Sequence, residues 1–246
     1  MNAPPLAGEA LAPRLTPLER VTLTGADERT SLQDLQRLVE NPRVEIGLLY
    51  SARPEGRNRY PSRPWLESTI KALGRRCALH VCGTEARQQL RDGALTPMVA
   101  AVGRVQVNGK LSVEEAQAIG EQLHALPNRP AFITQHCEVN LELATAPVKN
   151  HQLLVDSSGG AGVSPKAWLR PATSKPAGFA GGLGVHNLLR QLPGIDAAAR
   201  PGPSGSWVDM ESRIRFNDYF SPLFAKAAVA AFDRYCLGLH ADSVRI

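Results

Sequence analysis

The sequence predicts an α/β protein built as a single-domain (β/α)8 TIM barrel. Three observations carry that expectation. Eight short runs of β-branched and aliphatic residues recur along the chain, and longer segments of helical period separate most of them. The 246 residues suit one barrel, which typically takes about 250. An open doubly wound sheet fits less well, because it needs fewer strands and usually carries a cofactor fingerprint.

The chain opens with MNAPPLAGEALAPRL, which has neither the basic start nor the continuous apolar segment of a signal peptide. Its Ala, Pro and Gly content predicts a flexible tail over 1–18, with the barrel domain over 19–246. The expected strands are Val21 to Thr24, Val44 to Tyr50, Cys77 to Val81, Val102 to Val107, Ala131 to Gln135, Gln152 to Asp156, Ala177 to Ala180 and Trp207 to Met210. Thr30 with Gln33, and Ser112 with Glu115, have the spacing of capping boxes and predict helix starts. Asn41-Pro42 and Pro127-Asn128 predict where those two helices stop, near Glu40 and Leu126. Prolines 147, 165, 171 and 176 predict irregular or shortened helices after Cys137 and after Ser157. An Ala-rich amphipathic stretch from Ser221 to Tyr235 closes the chain.

Composition narrows the function classes. Lys plus Arg number 28 against 23 Asp plus Glu, a net charge of +5 with a pI near 9.2. The basic residues are scattered, so they favour anionic ligands weakly and do not imply nucleic acid. Cys77, Cys82, Cys137 and Cys236 form no C-x-x-C pair and have no His-spaced partner, so neither a disulfide framework nor a zinc site is signalled. No apolar run approaches the roughly 18 residues a membrane helix requires. A cytoplasmic protein with reduced thiols and no membrane association is expected.

In a barrel, active-site groups lie just beyond the carboxyl ends of the strands, and a phosphate site is commonly built after strands seven and eight. The seventh run leads directly into GFAGGLGVHN, where Gly181 and Gly182 precede a helix expected near Val185. Paired glycines let main chain approach an anion, and amides at a helix start point toward it; a tight turn would use the same residues. The sixth run ends in LLVDSSGGAG, placing Asp156 at a strand terminus before Gly159, Gly160 and Gly162. The eighth ends WVDMESR, gathering Asp209, Glu211, Ser212 and Arg213. After the second run, Arg53, Arg57, Arg59 and Arg63 fall on one long excursion, with Tyr60 and Trp65 able to cover a ligand.

Six segments in order resemble phosphoribosylanthranilate isomerase, from about Val21 to Phe232. VTLTG resembles that family's K-I-C-G, NRYPS at Asn58 to Ser62 its S-P-R-Y, and VQVNG at Val105 to Gly109 its V-Q-L-H-G. LLVDSSGGAG with Trp168 downstream resembles L-L-D with G-G-T-G and a Trp. FAGGLGVHN resembles L-A-G-G-L-x-x-x-N, and WVDMES resembles V-D-x-x-S-G. The resemblance implies a phosphoribosylanthranilate isomerase-like barrel of tryptophan-biosynthesis type, performing an Amadori aldose-to-ketose rearrangement on a phosphorylated ribose derivative without metal or organic cofactor. It implies Asp156 as the acid, ligand contacts at Arg59, Asn108 and Asp209, and phosphate binding at Gly159, Gly160, Gly181, Gly182, Ser212 and Arg213.

The sequence departs from that pattern at four positions. Thr24 occupies the place of the family's general-base Cys, Thr22 that of its Lys, Asn108 that of its His, and Arg213 that of the Gly after the last Ser. A threonine hydroxyl has no thiolate-like state near neutral pH. Candidate replacement bases are Asp27, Glu28, Cys82, Cys137 and Glu138, with Asp27 first because its loop springs from the same strand end. A phosphosugar-binding barrel that has lost or changed its activity is the alternative expectation. The six histidines form no triad by sequence; His80 and His136 read as packed strand residues, and His186 as packing beside the phosphate loop.

Overall fold

The computed structural model describes residues 16–54, 58–156, 158 and 161–239. Eight parallel strands close in sequence order: β1 (Leu18–Thr24), β2 (Val44–Ser51), β3 (Cys77–Cys82), β4 (Arg104–Val107), β5 (Ala131–His136), β6 (His151–Asp156), β7 (Ala177–Ala180) and β8 (Ser206–Met210). Closure is made where Val21 of β1 registers with Val208 of β8 on one side and Val44 of β2 on the other. β1 begins at Leu18, which is buried and pairs with Ser206. Most of the expected flexible tail lies outside the described residues.

The helices are α1 (Leu32–Val39), α2 (Arg63–Leu73), α3 (Thr84–Arg91), the single turn α4 (Thr96–Val99), α5 (Val113–His124), α6 (Leu188–Ala199) and α7 (Pro222–Cys236). Ser112 and Glu115 form the expected capping box at α5, each side chain bonded to the other's backbone. At α1 the cap is Ser31, not Thr30: the Asp34 amide donates to Ser31 Oγ at 3.1 Å, while Thr30 Oγ1 is occupied by the Asp27 amide at 3.2 Å. α6 starts at Leu188, three residues beyond the expected Val185, because the Gly184 amide is taken by Asn187 Oδ1 and the chain turns there first. After β5 there is only a 3-10 turn, Leu141–Ala144, and the described residues between β6 and β7 hold no helix. Two short strands, β9 (Arg215–Phe216) and β10 (Tyr219–Phe220), form a hairpin between β8 and α7.

The main apolar core lies between strands and helices. Inside the barrel a smaller cluster of Ile133, Leu154 and Trp207 forms a floor under the mouth. Gly178 makes room for it: a Cβ there would stand 2.0 Å from Trp207 Cε2. Below runs a buried ion pair, with Arg104 Nε donating to Glu45 at 2.9 Å and the guanidinium 4.3 Å from the Trp207 ring. Burial pushes the Glu45 carboxyl up, but the charge and hydrogen bonds of Arg104, with the Arg20 charge and the Thr22 hydroxyl, together outweigh it and hold the carboxyl low. Among the described residues, no helix is long and apolar enough to cross a membrane.

Candidate active site

All eight strands contribute residues, from near or just beyond their carboxyl ends, to the wall of a cavity of about 350 Å³. Its wall includes Thr24, Arg59, His80, Asn108, Asp156, Gly181, Gly182, Asp209 and Ser212. The volume lies within the range of small-ligand sites. Of the ten residues to which the resemblance gives a role, together with Thr24 and Asp27, the cavity wall brings eight together.

One end of the cavity is main chain. The loops after β6, β7 and β8 press together so closely that a Cβ on Gly182 would lie 2.4 Å from Gly162 O, and one on Gly162 would lie 2.7 Å from Ser212 Oγ. Gly182 has φ +54° and Gly181 +131°, so neither position readily takes another residue. Among the described residues, no hydrogen bond engages the amides of Gly182 or Ser212. Asn187, just before α6, ties the loop down by donating to Gly182 O at 2.8 Å. Amides presented this way suit an oxyanion.

Asp156 stands beside this end, its Oδ1 accepting from Ser158 N at 3.1 Å and Ser158 Oγ at 2.8 Å. Across the closure seam, the Thr24 hydroxyl donates to Asp209 Oδ1 at 2.8 Å. Burial pushes the Asp209 carboxyl up to about 7; Glu211 and Glu45 add to the rise, while Thr24 and Arg104 oppose it. His80 Nε2 lies 3.9 Å from Asp209 Oδ2, beyond hydrogen-bond reach. Gln106 Nε2 donates to Asn108 Oδ1 at 2.8 Å and faces His80 Nδ1 at 3.3 Å. That network puts the ring proton on His80 Nε2, which has no partner among the described residues and borders the cavity. Burial holds the imidazole down to about 4, so it is neutral at pH 7.

The outer end is ionic. Arg59 Nη1 donates to Glu211 Oε1 at 2.6 Å, and the Arg59 guanidinium carbon lies 5.6 Å from the Tyr60 ring centroid. Arg53 pairs with Glu85 and Arg63 with Glu67, both away from the cavity, and Arg57 lies outside the described residues. Trp65 packs against the core rather than over the mouth.

Four expectations are corrected or unplaced. Asp27 is not placed as the expected base: its carboxylate is buried, accepts from the Phe220 amide at 2.8 Å, faces Arg215 at 3.4 Å and does not line the cavity. The turn at Gly25, with φ +93°, carries the chain away from the mouth and against the hairpin. Arg213 is exposed and outside the wall, because its backbone bridges to Gly184. Gly159 and Gly160 lie outside the described residues. Of the other proposed bases, Glu28 accepts from the Ser62 amide, while Cys137 and Glu138 do not line the cavity. Cys82 does line it, but burial pushes its thiol up to about 11.

Solved structures share this fold. Phosphoribosylanthranilate isomerase from Thermus thermophilus superposes with a TM-score of 0.61 over 88% of this chain and 99% of its own, at 20% identity. The fold is that of the phosphoribosylanthranilate isomerases. The Thermotoga maritima enzyme matches at TM-score 0.60 and 17% identity, with the same coverage of both chains. A phosphoribosylanthranilate isomerase in complex with reduced 1-(o-carboxyphenylamino)-1-deoxyribulose 5-phosphate matches at 0.59 and 17%. No family model matches the chain, and no curated protein matches it in sequence.

Sequence reasoning missed His80. β3 is buried on both faces, so period-two alternation could not say which residues face inward. The available signal was its spacing from Cys82: residues two apart on a strand share a face, and Cys82 was already a site candidate.

Proposed function

We propose that the protein is an aldose-to-ketose isomerase acting on an N-linked phosphoribosyl compound, of which the anthranilate conjugate of tryptophan biosynthesis is one member. A single observation carries this reading: the Gly181–Gly182 and Ser212 main-chain cradle and the Asp156 carboxyl border one cavity at the carboxyl ends of the strands. The phosphate docks on the cradle. Asp156, as the acid, delivers a proton to the ribose ring oxygen, opening the ring to an iminium. Asp209 takes the proton from the adjacent carbon, with Thr24 orienting its carboxyl, and the resulting enolamine gains a proton at the former anomeric carbon while its enol hydroxyl gives one up, leaving the ketose amine. No atom is lost or gained overall. A carboxylate poised near neutral pH suits the base role better than an ordinary one, because it is a stronger proton acceptor. Four unbridged cysteines support a reducing, cytoplasmic setting as part of the same reading.

The test is turnover of N-phosphoribosyl amines in deuterated water, followed by proton NMR. Deuterium is expected at the former anomeric carbon of the ketose, and Asp156→Asn is expected to abolish it. An unimpaired Asp156→Asn removes that residue from the reaction.

Thr24, standing where the family has its thiol, favours a second reading in which the barrel binds phosphosugars without turning them over. Thr24→Cys separates the two. A site that works through Asp209 gains nothing from the thiol, whereas a lapsed site gains turnover.

A further inference from the structure

The wall of the cavity is electrostatically lopsided. Among its described residues Arg59 is the one cation, against the carboxyl groups of Asp156, Asp209 and Glu211. That cation is already matched, because Glu211 Oε1 accepts from Arg59 Nη1 at 2.6 Å. The pair is built into the fold from both sides. The Arg59 loop is tied to the segment after β8 by Asn58 Nδ2 donating to Asp218 Oδ2 at 3.0 Å. Glu211 sits in a turn closed by the Ile214 amide on its carbonyl at 3.2 Å. A ligand carboxylate arriving here would have to share Arg59 with Glu211 and lie beside it, a like-charge contact in a partly dry pocket. A hydrogen-bond donor meets the opposite situation, since a carboxylate has about four acceptor sites and the Tyr60 ring borders the same end.

We propose that the ligand's amine-linked portion, beside Arg59 and Glu211, is a carboxylate-free group that donates a hydrogen bond to Glu211, uncharged or cationic, with the phosphoryl group on the glycine cradle. Glu211 is thereby the residue that sets substrate choice. This rests on the phosphoribosyl-amine reading above and makes it narrower: the negative charge of the ligand is confined to its phosphoryl group, which main-chain amides receive, and the rest is selected by the Glu211 carboxylate beside Arg59.

The experiment is isothermal titration of the wild-type protein with four stable compounds: ribulose 5-phosphate, and reduced 1-(arylamino)-1-deoxyribulose 5-phosphates whose aryl group is phenyl, o-carboxyphenyl or o-(aminomethyl)phenyl. The phenyl and aminomethylphenyl compounds are expected to bind at least tenfold more tightly than the carboxyphenyl one. In Glu211→Gln the aminomethylphenyl preference should disappear and the carboxyphenyl compound should gain affinity. Equal or tighter binding of the carboxyphenyl compound by the wild type overturns the inference while leaving the phosphosugar reading intact. Failure of all four, ribulose 5-phosphate included, removes the phosphosugar reading and the inference with it. The wild-type comparison stands alone if the variant does not fold.

Discussion

The Thr24 hydroxyl donates to Asp209 Oδ1 at 2.8 Å across the seam where the first and last strands meet. Thr24 is thus coupled to a carboxyl whose proton affinity burial has raised. Asp209→Asn is expected to lower kcat by about 10²- to 10⁴-fold, the usual contribution of a positioned acid or base. Thr24→Val should lower it less and leave KM nearly unchanged, because it removes only the orienting bond. Steady-state kinetics of both variants check this; an active Asp209→Asn enzyme refutes the base assignment.

The same carboxyl sets a pH dependence. Thr24 from β1, Glu45 from β2, His80 from β3, Arg104 from β4 and Glu211 beyond β8 all act on or face Asp209. With its folded value near 7 and its ordinary value 3.8, the base form accumulates only as pH rises through about 7. Activity should rise over that interval and lose this rise in Asp209→Asn. Stability runs the other way. The folded state holds a proton that the unfolded state has released, so the contribution of Asp209 is full below about pH 4 and is lost as pH rises through 7. Urea unfolding at pH 5 and pH 8 should show Asp209→Asn gaining on the wild type at the higher pH.

Gly182→Ala places a methyl 2.4 Å from Gly162 O at a residue with positive φ. A cost of about 2 kcal/mol or more is expected, from the strain typical of such positions. The loops after β6 and β7 must also separate, so inorganic phosphate should bind more weakly. Denaturant melts and phosphate titration measure the two effects.

Arg104→Met leaves Glu45 as a buried anion without its cation. Breaking such a pair on one side costs about 3–5 kcal/mol. The double replacement Arg104→Met with Glu45→Leu should recover much of it, as thermal or urea melts would reveal.

The strands were legible because parallel strands buried on both faces read as continuous apolar runs, and all eight appear where such runs occur. Ser112–Glu115 was legible because a capping box is local chemistry. The start of α1 was not, since whether Thr30 or Ser31 caps depends on Asp27 folding back. In the site, Arg59 stood out from the other arginines of its loop only through the family resemblance, whereas Asp156 and the glycine pair were legible from position after a strand. Asp27 and Arg213 share that position yet face elsewhere, because a loop's direction is decided by contacts such as those with Phe220 and Gly184, which are distant in sequence or invisible to periodicity. The partnership of Glu211 with Arg59 spans 152 positions and leaves no local trace.

The small hairpin after β8 gives the buried Asp27 carboxylate two of its donors, the Phe220 amide and the Arg215 guanidinium. Cutting the chain near its exposed Phe216 would do more than free a surface flap. It would strand an anion where water does not reach, so damage to a peripheral ribbon would be felt as loosening at the barrel's opening strand.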